Sequence, residues 1–331
     1  MRILFLGTPD FAIPSLEALA KTKHDIVGVV TQPDRVRGRN NKVTFSPVKE
    51  LALKLSLKVY QYERISREGV EDIRKLEPDV MVTCAFGQIL SREILSIPKY
   101  GIINVHASLL PLFRGSSPIQ RAILTGERET GISIMRTEYE VDSGDILLQK
   151  RTDIYEKETA GELFERLSHL GASALIEGID LIDRGEAVYT PQDSSKASYY
   201  PMLKKEDGII DFSTTYSELD CFVRGMTPWP SAYTYMNGES MKVFSVSKVC
   251  SIDGSSEGNG GMLFDGIENI EKASCGQIVA ADTKRGLLVR VKDAVISIDE
   301  IQLPGGKRMK ATDYLRGHSV EEGETLGGEN K

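Results

Sequence analysis

The sequence predicts an α/β chain in two parts: a largely parallel sheet with helices on both faces, then a smaller domain of short strands that suggests a small barrel. Three observations carry this. Apolar strand-like runs alternate with stretches of helical spacing over residues 1 to about 190. The texture changes after Gly185, at the linker-like run Thr190-Pro191-Gln192-Asp193-Ser194-Ser195-Lys196-Ala197-Ser198. Beyond it, short strand-like pieces are separated by Gly, Ser and Asp turns. A length of 331 residues suits two domains better than one, and 40% hydrophobic with 27% charged residues is ordinary globular composition.

Taken in order, Arg2 to Gly7 reads as a first buried strand and Thr8-Pro9-Asp10 as a turn. Phe11 to Lys21 has helical spacing, and Pro14 is tolerable in its first turn. Asp25 to Thr31 is a second strand, which completes a βαβ beginning. A dinucleotide fingerprint would need Gly at 7, 9 and 12. The chain has Pro9 and Ala12, so a nicotinamide or flavin site of the usual kind is rejected. Gln32 to Lys42 carries Arg35, Arg37, Arg39 and Lys42 against Asp34 alone, on a Gly- and Asn-rich frame. Such a loop could grip phosphates or be a solvated surface loop. Pro47 to Leu55 and Gly69 to Leu76 have helical spacing, with a short strand at Lys58 to Tyr60 between them. Asp79 to Ala85 is a buried strand that opens into Phe86-Gly87-Gln88-Ile89-Leu90, where a glycine would let a flat ligand approach the backbone.

The strand Gly101 to His106 runs out into Ala107-Ser108-Leu109-Leu110-Pro111. Side chains alternate along a strand, so Asn104 and His106 share a face. Open α/β sheets place their ligands at this end of their strands. An amide and an imidazole there can steady a developing oxyanion and handle a proton. They can equally be satisfied structural residues. Pro118 to Leu124 begins a helix, with Ser117 as its cap. Gly131 to Met135 and Ile146 to Lys150 are strands, joined through the polar turn Glu138 to Asp145, which lacks the pattern of a calcium loop. Thr159 to about Arg184 is a long helix with Leu163, Leu167, Leu170, Ala174, Leu175 and Ile179 near one face. In the second part, Tyr216 to Arg224 is a helix. Met241 to Val246, Gly276 to Ala281, Gly286 to Val291 and Ala294 to Ile301 are strands. Gly254 to Gly261 is a mobile-loop candidate.

The apolar runs are too short to span a bilayer or to form a signal peptide. Cys84, Cys221, Cys250 and Cys275 are widely spaced and form no C-x-x-C, so neither a zinc site nor a disulfide framework is indicated and a reducing cytoplasm is expected. The formal net charge of −7 argues against broad nucleic-acid binding, although a local patch can still be basic.

Asn104-Val105-His106-Ala107-Ser108-Leu109-Leu110-Pro111, with Arg114-Gly115 and Pro118-Ile119, resembles the motif of formyltransferases that use 10-formyltetrahydrofolate. Asp142-Ser143-Gly144-Asp145-Ile146-Leu147 resembles its partner motif. Five further stretches narrow the resemblance to members that formylate initiator methionyl-tRNA: residues 7 to 12, 31 to 35, 205 to 208, 227 to 230 and 304 to 309. The ordered set covers nearly the whole chain. The resemblance implies a Rossmann-like catalytic domain at 1–189, a linker at 190–205, an OB-like tRNA-binding barrel at 206–317, and a polar tail at 318–331 that is expected to be disordered. It implies Asn104, His106 and Asp142 as catalytic residues. Phe86, Gly87, Gln88, Ile89 and Leu90, with Ser108, Leu109, Leu110 and Pro111, would meet the folate. Arg35, Arg37, Arg39, Lys42, Lys204, Lys205, Lys307 and Arg308 would meet the tRNA, with Arg39 reading the acceptor stem. No metal and no covalent intermediate is required, and a monomer is the family's default. Departures are Asn40 where the family has Gly, Phe86 for Tyr, Ser91 for Pro, Leu112-Phe113 for Arg-Trp and Ser116-Ser117 for Ala-Ala; none removes a catalytic group. Residues 201 to 317 carry 14 Lys plus Arg and 16 Asp plus Glu. A tRNA-binding domain with that balance must gather its cations locally. A small amine, a sugar nucleotide or water are the alternative formyl acceptors.

Overall fold

The computed structural model describes residues 1–37, 42–252 and 270–327. The chain forms two compact units. The first comprises 1–119, 129–154 and 162–201; the second comprises 120–128, 155–161 and 202–331.

Strand β1 (Arg2–Gly7) leads through a 3-10 turn (Asp10–Ala12) to α1 (Ile13–Ala20) and β2 (Asp25–Thr31). Two short strands pair antiparallel, β3 (Arg35–Arg37) and β4 (Lys42–Thr44). Then come α2 (Pro47–Lys54), β5 (Val59–Gln61), α3 (Ile65–Glu68), α4 (Val70–Leu76), β6 (Val80–Cys84), α5 (Arg92–Leu95) and β7 (Ile102–His106). The stretch ends with β8 (Arg114–Gly115), α6 (Pro118–Leu124), β9 (Glu129–Arg136), β10 (Ile146–Asp153), α7 (Ala160–Asp183) and β11 (Tyr199–Tyr200).

The main sheet has the order β10-β9-β7-β6-β1-β2-β5. Its five central and distal strands, β7, β6, β1, β2 and β5, are parallel, while β9 and β10 are antiparallel additions. The turn between β9 and β10 is too short for the crossover that a parallel pair needs. Parallel strand order reverses between β1 and β6, which makes the carboxyl ends there the natural ligand edge of this Rossmann-like unit. One face holds a core around Leu4, Leu6, Ile73, Met81, Ile94 and Ile102. On α7, Leu163, Leu167, Leu175 and Ile179 are fully buried. Gly171 and Gly178 bring that helix close to the sheet: a Cβ would stand 3.0 Å from the Val105 side chain at the first and 3.3 Å from those of Ile134 and Leu147 at the second. Ser117 sits at φ 61°, not in the extended conformation of an N-cap residue, which corrects the cap read from the sequence.

The run read as a linker is bound to the first unit. Thr190 bridges to Ile146 and β11 pairs parallel with β8, because Gln192, Ser198 and Tyr200 all find backbone partners there.

In the second unit α8 (Tyr216–Met226) starts at a capping box, in which Thr215 accepts from the Glu218 N–H and Glu218 accepts from the Thr215 N–H. Strands β12 (Ala232–Met236), β13 (Glu239–Ser251), β14 (Ile278–Asp282), β15 (Gly286–Arg290), β16 (Ala294–Gln302) and β17 (Met309–Lys310) follow, with α9 (Ala311–Leu315) after them. The antiparallel order is β12-β13-β16-β15-β14, with β17 also on β16. Pairing that would close this sheet into a barrel is not seen among the described residues, so the barrel expected from the sequence is not established. The 318–331 tail is corrected as far as residue 327. Val320 and Leu326 are buried in this unit's core with Phe212, Val223 and Val289, and Thr325 bridges to Gln277. Gly254 to Gly261 lie outside the described residues.

Cys84 and Cys250 are buried and Cys275 is exposed. Burial pushes the Cys84 thiol up to about 12, and the thiolate is the reactive form. A maleimide pulse at pH 7.5 followed by mass spectrometry should label Cys275 first. Cys84 should react only at the rate of unfolding, and rapid labelling of Cys84 in the native protein would contradict this packing.

Candidate active site

The site lies at the carboxyl end of β7. Val105 is buried beneath α7, and strand alternation therefore turns Asn104 and His106 to the opposite face. Their neighbours fix what each can offer. The Thr83 hydroxyl at the end of β6 donates to Asn104 Oδ1 at 2.9 Å, so the amide's own N–H groups remain for a ligand. His106 is nearly buried, and its Nε2 stands 3.0 Å from the Phe113 carbonyl. A carbonyl only accepts, so Nε2 carries the proton and donates. Nδ1 then faces Asp142 Oδ2 at 3.7 Å. Gly115 N–H donates to the same Oδ2 at 2.8 Å.

Asp142 sits at φ 52°, in the left-handed region. Asp tolerates it better than most residues, at a cost of about 1 kcal/mol. Its carbonyl accepts from Gln192 Nε2 at 2.9 Å, and the Gly144 carbonyl accepts from the same nitrogen at 2.7 Å. Arg114 donates to Gln192 Oε1 from Nε at 3.0 Å and from Nη2 at 2.8 Å. The three expected catalytic residues thus converge: an amide donor, an imidazole of fixed tautomer and a carboxylate.

The expected folate contacts divide. Gly87 sits at φ 81°, where a Cβ would stand 3.6 Å from the Gln32 side-chain nitrogen, and Ile89 is 75% exposed. The N–H groups of Gly87, Gln88, Ile89 and Leu90 donate to no carbonyl among the described residues. Leu109 and Pro111 are partly exposed. Four of the side chains face inward. Phe86 and Leu90 are buried in the core. Ser108 is fully buried and its hydroxyl donates to the Leu112 carbonyl at 2.6 Å. Leu110 is buried, with its N–H on Ser133 Oγ and its carbonyl accepting from Gln149. Gln88 braces the loop, accepting from Ile65 N–H and donating to the Tyr62 carbonyl, both at 2.8 Å. These positions can meet a ligand only through backbone atoms. The buried Ser108 hydroxyl also has no route to act as a hydrolase nucleophile.

Of the expected tRNA contacts, Arg35 is exposed on β3. Arg37 and Lys42 lie on the paired strands β3 and β4, and Arg39 lies outside the described residues. The root of this pair is braced. Lys49 Nζ meets Asp34 Oδ2 at 2.5 Å and Gln61 Oε1 at 2.8 Å, while Gln61 donates to Asp34 Oδ1 and the Gln32 carbonyl, both at 2.9 Å. Lys204, Lys205 and Lys307 are exposed, whereas Arg308 is paired with Glu300 and stacks 4.6 Å from the Phe244 ring. Strands β12, β13 and β16 lie between the 209–233 bridge that follows Lys204 and Lys205 and the β17 end that follows Lys307 and Arg308. Sequence reasoning missed Thr83, Arg114 as a side chain, Ser133, Gln149 and Gln192; nothing in their spacing marks them.

An open α/β sheet with an amide, an imidazole and a carboxylate at its carboxyl edge has the groups that can assist addition to a carbonyl. Residues 1–179 match the formyl transferase family model and residues 202–319 the model of the formyl transferase C-terminal domain. The methionyl-tRNA formyltransferase of Ruminiclostridium cellulolyticum is 42% identical over 328 residues, covering 99% of this chain and 100% of that relative. The chain belongs to the methionyl-tRNA formyltransferase family. Among solved structures, an N-formyltransferase from Helicobacter canadensis, in complex with folinic acid and dTDP-3-aminofucose, superposes with a TM-score of 0.63. Its identity is 16%, and 93% of this chain and 99% of that one are covered. HypX from Aquifex aeolicus, in complex with tetrahydrofolic acid, gives 0.60 at 15% identity; 95% of this chain spans 47% of that larger protein. At these identities the structures share the fold. No described helix is long and apolar enough to cross a membrane.

Lys49 and Gln61 hold the Asp34 carboxyl below its ordinary value of 3.8. A lowered value contributes stability at pH above 3.8, and that contribution is lost as pH falls through the folded value. Asp34→Asn should therefore lower the urea midpoint at pH 6, and the gap from wild type should close as the pH approaches 3. An undiminished gap at pH 3 would assign the effect to something other than the charge.

Proposed function

We infer that this chain transfers the formyl group of 10-formyltetrahydrofolate to the amino group of methionine carried on initiator tRNA. The observation that carries the reading is the convergence of Asn104, His106 and Asp142 in a chain whose two parts both match formyl transferase models. The residues present fit a folate. The undirected N–H groups at 87–90 suit the polar edge of a flat ring, beside exposed Ile89 and partly exposed Leu109.

When bound, the folate supplies an activated formyl carbon to which the methionyl amine adds directly, giving a tetrahedral oxyanion. Asn104, its carbonyl oxygen held by Thr83, turns its N–H donors to that oxyanion. His106 Nδ1 would receive the amine's proton, since Nε2 already donates to Phe113, and would pass it to the leaving folate nitrogen as the bond from that nitrogen to the formyl carbon breaks. The Asp142 carboxylate, fixed by Gly115, stands beside Nδ1 and pairs with the imidazolium.

In this reading Arg35, Arg37, Arg39 and Lys42 grip the acceptor stem. Lys204, Lys205, Lys307 and Arg308 meet the tRNA backbone from the second unit. The register shifts in β13 support reading that unit as an OB-like barrel, because bulges are how a sheet bends toward closure. A translation-initiation enzyme of this kind works in the cytoplasm, here as a monomer.

The test is incubation of the purified chain with labelled 10-formyltetrahydrofolate and charged initiator tRNA, followed by recovery of formylmethionyl-tRNA. Transfer to a sugar nucleotide or to water, with none to the tRNA, would overturn the reading. His106→Ala and Asn104→Ala should each lower kcat by about 10²–10³, with tRNA binding nearly intact. Arg39→Ala should mainly raise the KM for tRNA and leave uncoupled folate turnover unchanged.

A further inference from the structure

We propose that Gln192 is a positioning residue for catalysis: the segment 190–200, though read from sequence as a linker, is a strap that sets the places of Asp142 and His106. The inference rests on the functional reading above.

Two sets of bonds join the strap to the catalytic groups. In the first, Gln192 uses its whole amide. Oε1 accepts twice from Arg114, and Nε2 donates to the Asp142 and Gly144 carbonyls. The orientation is unambiguous, because a guanidinium cannot accept and a carbonyl cannot donate. The contact with Asp142 is to the backbone of a residue held at φ 52°. Arg114 is itself buried and lies in the strand that β11 pairs with. Few side chains can meet such a demand: an amide both accepts from a cation and donates to two carbonyls, and asparagine is one methylene shorter.

In the second set, Ser198 and Tyr200 hold the loop opposite. Ser198 Oγ accepts from Phe113 N–H at 2.8 Å, and the Ser198 carbonyl accepts from Arg114 N–H at 2.8 Å. The Tyr200 carbonyl accepts from Ser116 N–H at 3.0 Å, and its ring stacks 5.7 Å from that of Phe113. This loop carries the Phe113 carbonyl that receives His106 Nε2–H, and the Gly115 N–H that holds the Asp142 carboxylate. The strap thus fixes the imidazole's tautomer partner, the carboxylate's donor and the carboxylate's own backbone. The chain passes from the strap into the second unit at residue 202. Load on that connection would therefore reach Asp142 and His106 directly.

The discriminating variant is Gln192→Glu. It keeps the length and gives Arg114 a carboxylate partner, so the fold should melt at or above the wild-type temperature. It loses both donations to the Asp142 loop. Formylation kcat should fall about 10- to 100-fold, the scale of an ångström misplacement of a reacting group, while KM for folate and tRNA stays within about twofold. In an Asp142→Asn background the same change should cost no more than about twofold, because residues acting as one unit are not additive. Hydrogen exchange over 137–145 should accelerate in Gln192→Glu without general loosening. Unchanged kcat, or an equal loss in both backgrounds, would overturn the proposal. If wild type itself failed to formylate tRNA, the functional reading would fall, and the exchange over 137–145 would still decide whether Gln192 holds the loop.

Discussion

The site depends on the burial of Val105 beneath α7. A strand offers two faces, and a buried valine on one is worth about 1.5–3 kcal/mol relative to exposure. A one-residue slip of β7 would expose Val105 and send Asn104 and His106 into the hydrophobic layer, where unpaired polar groups cost several kcal/mol more. Register is therefore set by packing far stronger than any bond within the site. Gly171 and Gly178 contribute by letting the helix close on the sheet. The polar groups need no energy of their own to be on the right face; their bonds have only to aim them.

The aiming follows from which groups can only donate or only accept. Thr83 orients an amide, a carbonyl selects a tautomer, and a backbone N–H fixes a carboxylate oxygen. Each bond contributes about 1 kcal/mol net to stability, yet each removes a conformer that would be catalytically idle. Ser133 repeats the logic on the neighbouring loop. It donates to the Ser108 carbonyl and accepts from Leu110 N–H and Gln149 Nε2, so residues 108 to 110 are set from below. Along these loops Phe86, Leu90, Ser108 and Leu110 face inward. That is why Phe86, Leu90, Ser108 and Leu110 proved to be supports.

The alternation on β7 was legible because period two is a local property, and so was the βαβ order. Asp142 was not legible from spacing: 36 residues separate it from His106, and only the resemblance paired them. The strap was read as a linker because its opening, Thr190-Pro191-Gln192-Asp193-Ser194-Ser195, is polar and turn-like, while its bonds run through Gln192, Ser198 and backbone groups. β12 was missed beside its neighbour for a related reason. Ala232-Tyr233-Thr234-Tyr235-Met236 alternates, but it follows a proline-rich turn that masks its start. Residues 318–327 looked polar throughout, and two buried side chains, Val320 and Leu326, suffice to anchor them.

The charge of the second unit poses the harder constraint. With more carboxylates than cations between 201 and 317, its long-range field does not draw in a polyanion. Surface charges further apart than about 8–10 Å are screened at physiological salt. Along the sheet, four ladder steps separate the segment following Lys204 and Lys205 from β17. Arg308 must exchange Glu300 for a phosphate, which discounts its contribution. In the proposed reading, a domain with this charge balance would hold a nucleic acid weakly. In that reading, discrimination falls to the basic segment at β3 and β4, whose root is braced by Lys49, Gln61 and Asp34. Weak binding by the second unit would suit an enzyme that must release its tRNA after each transfer, because uniform tight binding would slow release without aiding the chemistry.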